Sequence, residues 1–344
     1  MAVHGTLALV VAFTLTSLST VVVALRFYSR HVLVGKLGSP DWVMLAALIA
    51  TWGTPIVNYY QVLYMDYSNV HDEESFKRVA SGGLLFMWIF RLLYIIDHLL
   101  IKTSILLFYN YVAAAHRSYY WMVRGMLVLV VVSSLTMAFV SIFMCNPPQI
   151  AWDGEVFLNE FKGIWPKCLN PATLWLTQAS YNLATDGIIW LLPIPFFLNL
   201  RSMPVRRRIE LVAIFSIGIL AIAASAVRLS ITLRWLSGFE QAGQEFSNLL
   251  LWSQVEQHSG IIAASIPFLR PILRRMVKRV RLRESPSPGP KLIQGQLTPQ
   301  SNPVPPRTPI IPSPAPTFGS DDAFRPPATP LSPIKPEMQA FHTV

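Results

Sequence analysis

Charge is scarce in this sequence. Only 13% of its 344 residues are Asp, Glu, Lys or Arg, against 53% that are hydrophobic. A soluble domain carries about 25% charged residues. The shortage excludes an ordinary water-soluble globule and points to a polytopic membrane protein. Cysteine is scarcer still: Cys145 and Cys168 are the only two. Two thiols without paired histidines do not make a zinc site, so no metal is expected. No Asn-x-Ser/Thr acceptor for glycosylation occurs. A cleaved signal peptide is not evident either. The first apolar run is too long for its hydrophobic core and no basic stretch precedes it, so it reads as an uncleaved first span.

Long apolar runs are abundant instead. A helix needs roughly 20 apolar residues to cross the hydrocarbon core. Seven stretches qualify, at 5–27, 41–64, 84–110, 122–144, 172–200, 209–235 and 248–269. The expected fold is an all-α bundle of seven transmembrane helices. Orientation follows from the Lys and Arg of the short loops. The loops after spans one, three and five hold Arg30, Lys36, Arg117, Arg201, Arg206, Arg207 and Arg208. The loops after spans two, four and six are poorer in basic residues and rich in acids. The amino terminus is therefore expected outside and the carboxyl terminus inside.

The formal net charge of +10 is not spread over a nucleic-acid-binding face. Arg270, Arg274, Arg275, Lys278, Arg279, Arg281 and Arg283 cluster just after the last run. Basic residues there anchor on the anionic inner leaflet. Residues 271–283 alternate apolar and basic side chains, which suits a juxtamembrane helix on the inner surface. From 284 to 344 the chain changes character. Sixteen of the 27 prolines fall there, with seven Ser-Pro or Thr-Pro pairs, starting at Ser285, Ser287, Thr298, Thr308, Ser313, Thr329 and Ser332. Such a tail cannot bury enough apolar surface to fold. It is expected to be disordered and cytoplasmic, open to a proline-directed kinase or a signalling partner. The domains are thus 1–270, 271–283 and 284–344.

Both cysteines lie in the loop after span four, on the expected outer face. That side is oxidising, so a Cys145–Cys168 disulfide is expected to pin the loop over the bundle mouth. Inside the spans, ionisable residues are costly in lipid and mark functional sites. Rising 1.5 Å per residue from the inner ends, Asp97, Asp186 and Glu256 lie roughly 20 Å deep. Arg91 and Arg228 lie roughly 28 Å out and Lys102 roughly 12 Å. Asn182 and Asp186 share one helix face, as do His98 and Lys102. Arg91, Asp97, His98, Asn182, Asp186, Arg228 and Glu256 form the candidate polar ligand site. The same residues also read as structural ion pairs that fix helix packing. The levels predict that Asp186 pairs with Arg228. A metal hydrolase is not expected, because only His98 and His258 lie in spans.

Several motifs recur together. They are Leu25-Arg26-x-Tyr28, Lys102-x-Ser104, and Cys145-x-Pro147 with Trp152 and Cys168. Then come Asn182-x-x-x-Asp186, Leu192-Pro-Ile-Pro195, Ala226-Val-Arg228, and Trp252-Ser-x-x-Glu256 running to Pro267 and Pro271. Over about 20–275 this pattern resembles the fungal rhodopsin-domain family, the Pth-type receptor-like membrane proteins. The chain departs from it at Asp41, which stands alone where paired acids are usual, at Asn110 in place of Arg, and at Ser265 in place of Cys. The resemblance implies a seven-helix receptor-like protein of the plasma membrane. Retinal is not expected. Its Schiff base needs a core lysine; the last span has none, and Lys102 is the only lysine in any span. Neither Asp-Arg-Tyr closes span three nor Asn-Pro-x-x-Tyr span seven. The function expected is sensing of an extracellular cue, with signalling through loops and tail, no cofactor and no enzymatic activity. A small-solute transporter, or an accessory to one, is the alternative.

Overall fold

A computed structural model describes residues 2–64, 72–113, 117–156, 168–193, 205–237 and 242–284. These residues are predominantly helical, with no β-strand among them beyond an isolated bridge at Cys145 and Cys168. Among the described residues there are seven long helices: α1 Ala2–Tyr28, α2 Ser39–Tyr64, α3 Glu73–Ala113, α4 Arg117–Ile142, α5 Pro171–Leu191, α6 Val205–Ser237 and α7 Ala242–Glu284. Each overlaps one expected apolar run. Helix α3 begins well before residue 84, where Glu73 and Glu74 in its first turn complement the helix dipole. Helix α5 starts at a strong cap: Asn170 Oδ1 accepts from Ala172 N at 2.9 Å and Pro171 takes the first position. It ends at Leu191, just before Pro193; the rest of the run expected to 200 lies outside the described residues. Helix α7 runs unbroken through Pro267 and Pro271 to Glu284, so the basic segment 271–283 continues it. The expected disordered tail lies outside the described residues.

By length and composition, five of the helices are able to cross a membrane: α1 to α4 and α6. Helices α5 and α7 are more polar, and the polarity points inward. Gln178, Asn182 and Thr185 on α5 are buried, as are Ser253, Gln254, Glu256, Gln257 and His258 on α7. Each helix packs on the next, and α7 returns against α1 to close a ring. Helix α3 also reaches across to α7, while α4 and α5 touch least among the sequential neighbours. Close packing in lipid relies on small residues at helix crossings. A Cβ on Gly260 would meet Ile101 Cγ2 at 3.2 Å, and one on Gly53 would meet Leu93 Cδ1 at 3.2 Å.

Cys145 and Cys168 are joined in a disulfide that ties the end of α4 to the start of α5. The described part of the loop between them, 146–156, leans on α3. A 3-10 turn, Pro148–Trp152, sets Trp152 against Trp88 with ring centroids 5.1 Å apart. Gly154 N donates to Ser81 Oγ at 2.8 Å, an approach so close that a Cβ there would lie 2.4 Å from the Lys77 carbonyl. At the opposite end of the bundle a second lock forms. The Arg26 guanidinium donates to Asp41 Oδ1 at 3.1 Å, to the Ala264 carbonyl at 3.1 Å and to the Pro40 carbonyl at 3.0 Å. Asp41 also accepts from Arg30 Nε at 3.2 Å and Gly38 N at 2.9 Å. The lone acid of this region thus serves two arginines, and it joins α1, α2 and α7.

Candidate functional site

The site lies where α3, α5, α6 and α7 face one another. Their inward stripes carry polar side chains at helical spacing: Tyr94, His98 and Lys102 on α3, then Asn182, Thr185 and Asp186 on α5. Helix α6 adds Ser225 and Arg228, and α7 adds Ser253 and Glu256. Two ion pairs result. Lys102 Nζ lies 3.0 Å from Asp186 Oδ1, and Arg228 Nε lies 3.8 Å from Glu256 Oε2. The two cations and two anions balance, which is what a low-dielectric interior demands of buried charge.

Neutral groups join the pairs. Lys102 donates to Asn182 Oδ1 and Thr185 Oγ1, each at 2.6 Å, and to the Asn182 carbonyl at 3.2 Å. The other end of the Asn182 amide donates to Tyr94 Oη at 3.1 Å, to Asp186 Oδ2 at 3.3 Å and to Glu256 Oε1. The Tyr94 hydroxyl donates to Glu256 Oε2 at 2.8 Å and accepts from Arg228 Nη1 at 2.9 Å. The guanidinium carbon of Arg228 lies 3.9 Å from the Tyr94 ring centroid, and its Nε donates to Ser253 Oγ at 2.9 Å. Ser225 Oγ sits between the two carboxylates, 2.8 Å from Asp186 Oδ2 and hydrogen-bonded to Glu256 Oε1.

Of the seven residues singled out in the sequence, five meet here: His98, Asn182, Asp186, Arg228 and Glu256. His98 is peripheral, with Nε2 4.0 Å from Glu256 Oε2. Asp97 turns away toward α2, where Thr51 Oγ1 lies 2.7 Å from its Oδ1. Arg91 stands farther along α3. Its Nε donates to Gln178 Oε1 at 3.3 Å and its guanidinium lies 5.1 Å from the Trp175 ring. The expected Asp186–Arg228 pair gives way to two others. Ser225, one turn before Arg228, takes the place beside Asp186, and Arg228 is drawn to Tyr94, Ser253 and Glu256.

Tyr94, Lys102, Thr185, Ser225 and Ser253 were outside the sequence-predicted site. Lys102 carried a signal, being four residues after His98 and the only lysine in a span. The hydroxyl residues carried none, because serine and threonine are common in helices. Beside the network a small pocket opens between α3, α4 and α5, with about 20 Å³ available to the centre of a water molecule. Its walls include Ile95, His98, Met137, Gln178 and Tyr181. Among the described residues no group of three or more His, Cys, Asp or Glu could hold a metal ion.

Comparison with known proteins gives a consistent picture. The chain is 27% identical over 267 residues to "Receptor GIN3" of Arthrobotrys oligospora, covering 74% of this chain and 59% of that one. It is 24% identical to "Fugralins biosynthesis cluster protein 2" of Gibberella zeae, covering 78% of this chain and 65% of the relative. It is 22% identical to "Polyenoic acids biosynthesis gene cluster protein Ba17b" of Metarhizium anisopliae, covering 76% and 72%. The chain therefore spans less than two thirds of the length of the first two. No solved structure matches it. The fungal rhodopsin domain model matches residues 25–275, most of the chain and every element that builds the site, and the chain belongs to that family.

Proposed function

We propose that this chain is a receptor-like protein of the plasma membrane with seven spans, its amino terminus outside and its carboxyl terminus in the cytoplasm. It binds an extracellular cue within the bundle and signals through cytoplasmic loops and tail. The observation that carries this reading is the charge-balanced network joining four helices through two ion pairs. A ligand that takes one partner from either pair changes what holds α3, α5, α6 and α7 together. Asn182 touches both pairs, so a change at one reaches the other. The printed name of one relative, a receptor, supports the reading. Retinal is not the ligand in this account: the Lys102 ammonium is engaged by Asn182, Thr185 and Asp186, and 248–269 contains no lysine. No enzymatic step is assigned. The basic end of α7 would rest on the anionic inner leaflet, and the tail would meet a kinase or signalling partner.

The test pairs a binding measurement with a cellular one. The full chain and Asn182→Leu are purified in mild detergent after exposure to culture extract, and retained small molecules are read by native mass spectrometry. The transcriptional response of cells carrying each form is recorded in parallel. The expected result is a molecule held by the wild type and lost from the variant, with loss of the response. Equal retention and equal response in both, at equal surface amounts, overturns the reading.

A further inference from the structure

Among the described residues Arg91 is a buried cation with no acid of its own, and Asp97, a buried acid with no cation, faces Thr51 on α2 instead. Lys102 has Asp186, Arg228 has Glu256, and Arg26 and Arg30 share Asp41. Arg91 is 3% exposed, and among the described residues no carboxylate lies within 4.0 Å of it. Its partners are a neutral amide and an aromatic ring. An uncompensated buried guanidinium is strongly destabilising. The amide it holds is itself half used: Gln178 Oε1 accepts from Arg91, while Gln178 Nε2 is buried without an acceptor.

Gln178 lines the small pocket between α3, α4 and α5, and Arg91 stands behind it, held to its Oε1. Arg91, Ile95, His98 and Lys102 follow at spacings of four, three and four, so they share one face of α3. Gln178, Ile95 and His98 line the pocket, with Met137 and Tyr181 as its apolar walls. At Gln178 the open group is an N–H donor with a guanidinium beside it, so that part of the wall takes an acceptor and rejects an amine. A guanidinium fork matches a carboxylate in shape and charge. The central network is already neutral, so one added negative charge balances Arg91 alone.

We propose that this is a head-group site for an amphipathic carboxylic acid. The carboxylate sits on Arg91 and Gln178 Nε2, and the apolar chain lies along Ile95, Met137 and Tyr181. The space as it stands holds about one water molecule. The chain of the acid therefore enters as α4 and α5 part, and these are the sequential neighbours that touch least. The proposal rests on the receptor reading and names the class of its ligand.

The test uses the full chain in neutral phosphatidylcholine nanodiscs with three probes of one tail: hexanoate, hexanol and hexylamine. Hexanoate is expected to raise the Tm saturably, as a ligand of the native state does, and the other two are not. Arg91→Gln should weaken hexanoate binding by about thirtyfold or more. It should also raise the Tm of the ligand-free protein, because it removes an unmatched buried charge. Gln178→Glu supplies the carboxylate from within and should do both as well, so the idea does not depend on one variant. Arg91→Lys should keep part of the binding. Equal responses to hexanoate and hexanol, or an undiminished hexanoate response in Arg91→Gln, overturns the proposal. So does anionic phosphatidylglycerol in the nanodisc if it alone gives the Arg91-dependent rise and leaves hexanoate without effect, since the site then belongs to a lipid. Binding of hexanoate decides this proposal; the cellular response decides the receptor reading, and either can fail alone.

Discussion

The pairing of Arg228 is the point at which the buried network can be tested most sharply. Arg228 is 1% exposed and Glu256 2%. At their separation of 3.8 Å and an effective dielectric of about 20, the attraction comes to about 4 kcal/mol. Breaking a buried pair by removing one partner costs about 3–5 kcal/mol. Glu256→Gln keeps an acceptor oxygen for one of the two hydroxyls, Tyr94 or Ser225, so its loss should lie at the lower end, about 3 kcal/mol. Arg228→Met strands the Glu256 carboxylate and should cost a similar amount. Combining the two removes both charges, and a double-mutant cycle should return a coupling of about 2 kcal/mol or more. Crossing Arg228→Met with Asp186→Asn should return less than about 1 kcal/mol, because Asp186 is held by Lys102, Asn182 and Ser225 instead. Stability is read by SDS-titrated unfolding of the full chain, followed by far-ultraviolet circular dichroism. A larger coupling of Arg228 to Asp186 than to Glu256 would refute the pairing, as would strictly additive losses in the first cycle.

Other outcomes follow from the two ends of the bundle. Non-reducing peptide mapping should recover Cys145 and Cys168 in one peptide pair, and replacing both with serine should cost about 2–4 kcal/mol; free thiols in secretory-pathway protein would count against the pinned loop. Asp41→Asn leaves two arginines facing a neutral side chain and should lower stability by about 3 kcal/mol or more, seen as a fall in Tm that Asn110→Ala does not reproduce. Gly154→Ala has no room against the Lys77 carbonyl and should cost about 1–3 kcal/mol, with increased protease cleavage of the loop as a second readout. Truncation after Glu284 should leave helical content and membrane insertion unchanged, because the removed segment has no apolar face to contribute; a truncated chain that fails to insert would refute it.

The long helices were legible because apolar runs of spanning length have few other uses. The membership of the site was largely legible for the converse reason: an ionisable residue in such a run has to face a protein interior. The pairing was not. Counting along a helix measures height, and Asp186 and Arg228 were matched by height alone. Direction around the helix axis decides the partner, and it depends on how neighbouring helices are rotated. Asp97 and His98 illustrate this, being adjacent in sequence but about 100° apart around α3. One turns to Thr51 on α2 and the other toward Glu256 on α7. Lys102 lies roughly 8 Å from the level of the acids by the same ruler, yet its long side chain reaches the Asn182 and Asp186 side chains on α5. The lone Asp41 looked like a departure from the family pattern; in the fold it is a hub, since one carboxylate has acceptor sites enough for Arg26, Arg30 and Gly38.

The Tyr94 hydroxyl has no valence to spare. Its proton goes to Glu256, and its lone pairs receive Asn182 and Arg228. Those three partners belong to three different helices. Moving any one of them away from α3 leaves a buried polar group unmatched, at about 1–3 kcal/mol each. A helix that shifts alone therefore meets an uphill step. One phenolic oxygen thus fastens three helices to α3 at a single point.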